Sequence, residues 1–194
     1  LVAEITGSAQ HVADICAGTG SLSVAQWAKN SNVRIEAEEF SRAAVAVLLF
    51  NYGVRNARAI VKHTDCLTGE VFAAWQLTPG DRFSDIVAIE HQQIDVPKAD
   101  VVVSNPPYFD AARGAVAQTE SRGLARSDEA CTLPQLCAAA GRLLRYGGSF
   151  CLVFRAERMP ELFACLKGCG MEPKRLRLVQ NTAQAAPKLL LLEA

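Results

Sequence analysis

Short apolar runs alternate with helical stretches along most of the chain, and no other feature of the sequence limits the possible folds as strongly. The apolar runs that predict strands are His11–Cys16, Val33–Glu38, Ala59–His63, Asp100–Ser104 and Ser149–Phe154. The stretches that predict helices are Ser21–Lys29, Ser41–Tyr52, Leu133–Leu144 and Met159–Lys167. Strands that alternate with helices form parallel sheets with helices on both faces. We therefore predict an α/β fold with a doubly wound, mostly parallel sheet.

Some stretches depart from this alternation. Val71–Leu77 is predicted to be helical, and Asp85–Glu90 is predicted to be an extra strand or part of an insertion. Phe109–Ala130 is polar, contains arginines and has no sustained period, which predicts a long loop of a kind that is often functional. The last two predicted strands, Lys174–Val179 and Lys188–Glu193, have no helix between them. We expect them to form a hairpin that gives the sheet an antiparallel C-terminal strand.

The charge balance limits how the chain could bind a polyanion. Among 194 residues, 20 Lys and Arg side chains oppose 20 Asp and Glu side chains, so the formal net charge is zero. A basic field over the whole molecule, which would attract nucleic acid, is therefore absent. A polyanion would have to bind at a local basic patch.

The seven cysteines lie mostly in apolar runs and include no Cys-x-x-Cys pair. An odd number without metal-ligand spacing predicts reduced, mostly buried thiols and no zinc site. Reduced thiols are typical of the cytoplasm, and no apolar run is long enough to span a membrane. We expect a cytoplasmic protein with no metal and no membrane partner. Because a strand follows soon after Leu1, we expect residues 1–194 to be a single domain that lacks N- and C-terminal segments of a longer protein.

A glycine turn links the first predicted strand to the first predicted helix. The segment Asp14–Gly20 reads Asp-Ile-Cys-Ala-Gly-Thr-Gly, and such a turn allows a ligand to approach the backbone closely. A dinucleotide fingerprint would have a third glycine where this chain has Ser23. The pyrophosphate of a dinucleotide is therefore disfavoured as the ligand.

Acidic residues follow at the next two strand ends. Glu38 and Glu39 end the second predicted strand, where a carboxylate can bind ribose hydroxyls. The register leaves the choice between these two open. Asp65 and Cys66 follow the third strand, and Asp65 can accept from an adenine amino group. Together with the glycine turn, these strand ends predict one nucleoside-sized site.

Ser104-Asn105-Pro106-Pro107-Tyr108 directly follows a buried predicted strand and indicates the most specific chemistry. The exocyclic amine of adenine is a poor nucleophile because its lone pair is delocalised into the ring. The Asn105 carboxamide oxygen and the Pro106 carbonyl can each accept one N–H, which turns the lone pair toward a methyl donor. The prolines fix that carbonyl, and Tyr108 offers a face for stacking a base. Alone, the motif indicates a planar nitrogen held for methylation, in a base or a side-chain amide.

With these motifs the chain resembles the class I S-adenosylmethionine-dependent methyltransferases. More narrowly, it is similar to the bacterial tRNA adenine-N6 methyltransferases that modify an adenine beside the anticodon of a valine tRNA. The resemblance covers nearly the whole chain and rests on Asp14–Gly20, Glu39, Asp65 and Ala99–Phe109 (ADVVVSNPPYF). It implies a Rossmann-like methyltransferase fold, S-adenosylmethionine as cofactor and tRNA as substrate.

The resemblance also implies roles for individual residues. The implied cofactor-binding residues are Asp14, Ala17, Gly18, Gly20, Glu39, Asp65 and Cys66. The implied catalytic residues at the target amine are Asn105, Pro106, Pro107 and Tyr108. The chain departs from the pattern at Cys16 and Ala17, where glycine and a small polar residue are commoner, and in a longer stretch between Asp65 and Asp100.

Contacts to RNA are expected from the predicted loop and from the end of the fifth predicted strand. Phe109, Arg122 and Arg126 lie in the loop, and Arg155 follows the strand. If the arginines share a face, they form a phosphate-binding patch despite the zero net charge. An adenine in a stacked RNA loop has to be flipped out to reach Asn105, and the loop would then cover it.

Three alternatives remain open. A protein glutamine methyltransferase of the release-factor type would use the same fold, cofactor and Asn-Pro-Pro-Tyr motif on a side-chain amide. A catalytically silent nucleic-acid-binding module of the same fold would bind no cofactor. A nicotinamide oxidoreductase is disfavoured by Ser23 and by the lack of a convincing acid or base for hydride transfer.

Overall fold

The computed structural model describes residues 9–90, 96–107 and 132–194. The strands in these ranges are β1 (His11–Ile15), β2 (Arg34–Glu39), β3 (Arg58–Asp65), β4 (Glu70–Pro79), β5 (Ser84–Ile89), β6 (Ala99–Ser104), β7 (Leu144–Arg155), β8 (Arg175–Val179) and β9 (Leu189–Glu193). The helices are α1 (Ser21–Lys29), α2 (Arg42–Gly53), α3 (Leu133–Leu143) and α4 (Met159–Gly168), with a 3₁₀ turn at Ala156–Arg158 before α4. The predicted loop Phe109–Ala130 lies outside the described residues.

These strands form one sheet in the order β5-β4-β3-β2-β1-β6-β7-β9-β8. The five from β3 to β7 in this order are parallel, whereas β4 and β9 run antiparallel to their neighbours. From β1 the chain moves first toward β2 and later toward β6, so the strand order reverses beside β1. Doubly wound sheets bind ligands at such a reversal, at the carboxyl ends of the strands. The predicted α/β fold is confirmed, including the C-terminal β8–β9 hairpin.

Two apolar cores lie on opposite faces of the sheet, because successive strand side chains point to opposite sides. On one face, Val12 and Ile35 belong to a buried cluster with Leu48 of α2. On the other face, Phe150 belongs to a buried cluster with Leu136 of α3. Each of these side chains is at most 1% exposed. The loops at the carboxyl ends of the parallel strands therefore extend from a rigid, two-sided core.

The predicted helix at Val71–Leu77 is wrong, since these residues lie in strand β4. The connection from β3 is a tight turn in which Gly69 has a φ of 81° and its amide donates to the Asp65 carbonyl at 2.7 Å. So short a connection allows only an antiparallel neighbour, and Phe72 and Trp75 are residues that favour strands. The segment predicted as Asp85–Glu90 is β5, which pairs with β4 as an added hairpin at the edge of the sheet.

One further boundary differs from its prediction. The sequence predicts a helix at Leu133–Leu144, a break at Tyr146-Gly147-Gly148 and a strand that starts at Ser149. Instead β7 begins at Leu144, immediately after α3, and pairs with Ala99 at that position. The register between β6 and β7 shifts between Ala99 and Val101, which accommodates the early start of β7. The remaining helices begin and end within a few residues of their predicted bounds.

Candidate functional site

The turn after β1 forms the first part of the site. Cys16 has a φ of 56°, and Gly18 and Gly20 have φ values of 56° and 81°. Residues other than glycine seldom adopt this left-handed backbone, so Cys16 occupies a glycine-type position. The Ala17 amide donates to the Glu38 carbonyl at 3.1 Å, and the Gly20 amide donates to the Ala17 carbonyl at 2.8 Å. The predicted glycine turn is therefore present and leads directly into α1.

Gly18 and Gly20 have different surroundings. A methyl group placed on Gly18 would meet nothing within 4 Å. The same group on Gly20 would lie 2.6 Å from Leu48 Cδ1 and 3.0 Å from Tyr52 Cε1. Gly18 thus borders open space, whereas Gly20 is required because α2 packs against it.

We expect Gly20→Ala to destabilise the protein by about 3 kcal/mol, because left-handed strain and overlap with Leu48 add together. Gly18→Ala is the matched control, because it has left-handed strain of about 1 kcal/mol without a clash. Chemical denaturation of both variants measures the difference. Equal losses of stability would contradict the close packing of α2 on Gly20.

The two acidic residues at the end of β2 occupy different places. Glu39 Oε2 accepts from the Gly18 amide at 2.7 Å, and its Oε1 accepts from the Ser41 amide at 2.7 Å. Glu38 points to the other face of the sheet, is 5% exposed, and accepts from Lys62 Nζ at 3.4 Å. Of the pair, Glu39 is the one that reaches the open turn.

Glu38 belongs to a buried charged cluster with Lys62, Glu36 and His11. Lys62 Nζ also donates to Glu36, and His11 Nε2 lies 3.6 Å from Glu36 Oε2. Burial raises the pKa of Glu38, and the charge of Lys62 opposes that rise. Removing one member of such a cluster leaves another charge buried with fewer partners, which is costly. These contacts join β2 to β3 and β1 on the face of the sheet opposite to Glu39.

Asp14 lies beneath the turn and is 1% exposed. Its Oδ2 accepts from the Ser23 amide at 3.2 Å and from the Ser23 hydroxyl at 2.6 Å. The hydroxyls of Ser23 and Tyr52 share a hydrogen bond of 2.5 Å. Burial raises the pKa of the Asp14 carboxyl to about 7, although the hydrogen bonds from Ser23 lower it. Asp14 therefore ties α1 and α2 to the end of β1 from below.

We expect Asp14 to make the protein less stable as the pH rises from about 4 to about 7. The unfolded carboxyl loses its proton near its ordinary pKa of 3.8, whereas the folded carboxyl keeps it until about pH 7. The folded state therefore binds more protons in this window, and the shift corresponds to about 4 kcal/mol. Asp14→Asn, which does not ionise, should flatten the slope in denaturation curves measured across the window. A variant that retains the wild-type slope would contradict this assignment.

Asp65 ends β3, and Cys66 begins the turn to β4. Asp65 Oδ1 accepts from the Leu67 amide at 3.0 Å and the Thr68 amide at 3.4 Å, so this oxygen stabilises the turn. Cys66 is 7% exposed, and its Sγ lies 3.7 Å from Cys16 Sγ. The loops after β1 and β3 therefore meet over the end of β2.

The end of β6 lies directly beside the end of β1. Ser104 is fully buried, pairs with Ile15, and donates its hydroxyl to the Ile15 carbonyl at 2.8 Å. Asn105 and Pro107 are exposed, whereas Pro106 is buried. The motif thus begins next to the turn after β1, with the Asn105 side chain at the surface.

The predicted RNA contacts are only partly within the described chain. The predicted RNA contacts Phe109, Arg122 and Arg126 lie outside it, as does the predicted catalytic residue Tyr108. Arg155 ends β7 at the carboxyl edge of the sheet, and its Nη2 lies 2.7 Å from Glu157 Oε1. Its side chain is 33% exposed, and the ion pair compensates part of its charge.

These strand ends fit a nucleoside cofactor. The open space at Gly18 allows close approach to the backbone, and the Glu39 carboxylate beside it can accept from hydroxyl groups. Asp65 lies at the next strand end. Within ranges 9–90, 96–107 and 132–194, no three His, Cys, Asp or Glu side chains are grouped to hold a metal ion. No helix in these ranges is long and apolar enough to cross a membrane.

Ser23 and Tyr52 support the site, but the sequence carries no signal of that role. Ser23 lies in the first turn of α1, where serine is common in any helix. Tyr52 reaches Ser23 from α2, 29 residues further along the chain. Only the folded chain brings these two hydroxyls to Asp14.

Over most of its length the chain is similar to proteins named tRNA1(Val) (adenine(37)-N6)-methyltransferase. One from Aliivibrio fischeri is 28% identical over 188 residues, which cover 94% of this chain and 68% of the relative. One from Shewanella sediminis is 25% identical over 181 residues, which cover 92% of this chain and 66% of the relative. The chain thus spans about two thirds of the length of these curated relatives. No family model matches the chain.

Solved structures share the fold at low sequence identity. A putative RNA methyltransferase from Pyrococcus horikoshii gives a TM-score of 0.61 at 14% identity, covering 99% of this chain and 79% of that chain. A TehB-like SAM-dependent methyltransferase from Corynebacterium glutamicum gives a TM-score of 0.54 at 13% identity, covering 95% and 78%. The chain therefore has the class I S-adenosylmethionine-dependent methyltransferase fold, with distant homologues named tRNA1(Val) (adenine(37)-N6)-methyltransferase over most of its length.

Proposed function

We propose that the chain binds S-adenosylmethionine at the turn after β1 and methylates the N6 amine of an adenine in tRNA. One observation carries the proposal: the motif that starts with exposed Asn105 and buried Pro106 lies beside the open turn at Gly18. A methyl donor and a planar amine can therefore meet at neighbouring strand ends. The names of the sequence relatives support an adenine of tRNA as the acceptor.

Glu39 is the proposed anchor for the cofactor ribose. The Gly18 and Ser41 amides fix the orientation of its carboxylate. Each carboxylate oxygen can still accept a further hydrogen bond, which suits two ribose hydroxyls. Asp65 is proposed to accept from the adenine amino group. The other members of the proposed cofactor site are Ala17, Gly20 and Cys66 around the bound molecule, with Asp14 supporting the turn from below.

Asn105 and Pro106 are proposed to hold the target amine. The carboxamide oxygen of Asn105 and the carbonyl of Pro106 each accept one N–H of the amine. The nitrogen lone pair is then directed toward the methyl donor. When bound, S-adenosylmethionine supplies an electrophilic methyl group. Because the amine becomes acidic once it carries that methyl group, its proton can leave to water without a strong general base. Positioning therefore supplies much of the rate.

The acceptor RNA is proposed to be held around this point by residues that the sequence identifies. Arg155 lies at the same edge of the sheet and is partly exposed, which suits a phosphate contact. Tyr108 is proposed to stack on the flipped base, with further contacts from Phe109, Arg122 and Arg126. The zero net charge requires such a local patch.

Incubation with a radiolabelled methyl donor and either bulk tRNA or release factor, in separate reactions, tests the acceptor. We expect label in tRNA alone. Label in release factor alone would replace the adenine with a glutamine side chain as acceptor. Calorimetry with S-adenosylmethionine tests the cofactor separately. Absence of binding would favour a silent nucleic-acid-binding module.

A further inference from the structure

Two thiols face each other at the proposed cofactor site. Cys16 Sγ and Cys66 Sγ are 3.7 Å apart, whereas the sulfurs of a disulfide are separated by about 2.05 Å. The atoms therefore need to approach by only about 1.7 Å, a distance that a loop shift can provide. Cys16 is partly exposed, so that a small oxidant can reach it, and Cys66 is buried behind it.

Burial lowers the reactivity of three other described thiols. Burial raises the pKa of Cys137 and Cys151 to about 12, which leaves little thiolate at neutral pH. Burial also raises the pKa of Cys165. Cys169 is exposed. Cys16 and Cys66 combine access to solvent at Cys16 with a sulfur–sulfur contact of 3.7 Å.

We propose that Cys16 and Cys66 form an oxidation site at which a hydroperoxide produces a disulfide that weakens cofactor binding. The thiolate of Cys16 attacks the peroxide and becomes a sulfenic acid with loss of one water. The Cys66 sulfur then displaces the hydroxyl group, which leaves as a second water. Two thiols lose two electrons and two protons, and one hydrogen peroxide gains them.

The disulfide would act on the turn that borders the cofactor space. It would tie the loop after β1 to the loop after β3, across the end of β2 where Glu39 lies. Ala17, next to Cys16, donates to the Glu38 carbonyl, so pulling Cys16 toward Cys66 would strain this hydrogen bond and move the turn that leads to Gly18. We expect S-adenosylmethionine affinity to fall at least about tenfold, which corresponds to about 1.4 kcal/mol. This effect on binding rests on the proposed function, whereas the disulfide itself does not.

Treatment of the reduced chain with hydrogen peroxide tests the proposal in two independent readouts. Non-reducing digestion and mass spectrometry should yield a peptide that links Cys16 to Cys66. Calorimetry should show the weakened affinity, and a dithiol reductant should restore it. Cys16→Gly, which suits the positive φ, and Cys66→Ser should each give no linked peptide. The S-adenosylmethionine affinity of each variant should be the same before and after peroxide treatment.

Cys169→Ser is the matched control, because it removes an exposed thiol outside the pair and should form the link as the wild type does. Failure to find the linked peptide in the wild type would overturn the proposal whatever the affinity. A linked peptide with unchanged affinity would overturn the effect on binding. A reduced chain that binds no S-adenosylmethionine would overturn the proposed function and that effect, while the linked peptide would still establish the disulfide.

Discussion

Asn105→Ala is expected to slow methyl transfer by about a hundredfold to a thousandfold, the usual effect of removing one fixed group that stabilises developing charge. The variant lacks the carboxamide oxygen that accepts an N–H of the target amine. Because Asn105 is exposed at the end of β6, truncation should not disturb the core beneath it. S-adenosylmethionine binding is expected to remain within about threefold of wild type, since the proposed cofactor contacts come from other strand ends.

Single-turnover kinetics and calorimetry measure these two effects separately. Asn105→Asp keeps an acceptor oxygen and should retain more activity than the alanine variant. Asn32→Ala is a control at an exposed asparagine before β2, at the opposite edge of the sheet, and should behave as wild type. Equal activity in Asn105→Ala and wild type would show that the motif does not hold the acceptor.

Glu39→Ala is expected to reduce S-adenosylmethionine affinity by about a hundredfold or more, because hydrogen bonds to a charged group are worth about 1.5–3 kcal/mol each. The variant would lose the carboxylate proposed to bind the ribose and would also release the Gly18 amide that it holds. Since the side chain is only partly buried, the free energy of unfolding should change by about 1 kcal/mol.

Glu38→Gln is the informative comparison because it lies one residue away on the opposite face. Loss of its charge removes one partner of Lys62 but also removes a carboxylate whose pKa is raised by burial, so the two effects oppose and stability should change by less than about 2 kcal/mol. The folded variant should retain its cofactor affinity, measured by calorimetry well below its melting temperature. If Glu38→Gln lost affinity and Glu39→Ala kept it, the assignment of the two carboxylates would be reversed.

The parts of the fold that follow from strong local patterns were predictable from sequence. The buried parallel strands are short apolar runs, and each ends in a motif whose residues suit a loop, as at Gly18, Asp65 and Asn105. Because parallel strands place their carboxyl ends at one edge, the sequence also predicts that these motifs lie close together. The pairing of Ile15 with Ser104 confirms that the turn at Gly18 and the motif at Asn105 lie close together.

The features of the fold and the site that the sequence did not predict depend on contacts between residues far apart along the chain. Val71–Leu77 has a composition compatible with either a helix or a strand, and the tight turn at Gly69 favours the strand. The choice between Glu38 and Glu39 depends on which face each side chain takes, which a one-residue shift in register would exchange. The contact of Cys16 with Cys66 joins residues 50 positions apart, and no local pattern indicates it.

Mass spectrometry of the nucleosides from bulk tRNA, after incubation with the chain and S-adenosylmethionine, tests the central claim most directly. We predict that N6-methyladenosine increases with the wild-type chain and does not increase with Asn105→Ala. If calorimetry shows bound cofactor while no tRNA gains N6-methyladenosine, methylation of a tRNA adenine at N6 is contradicted.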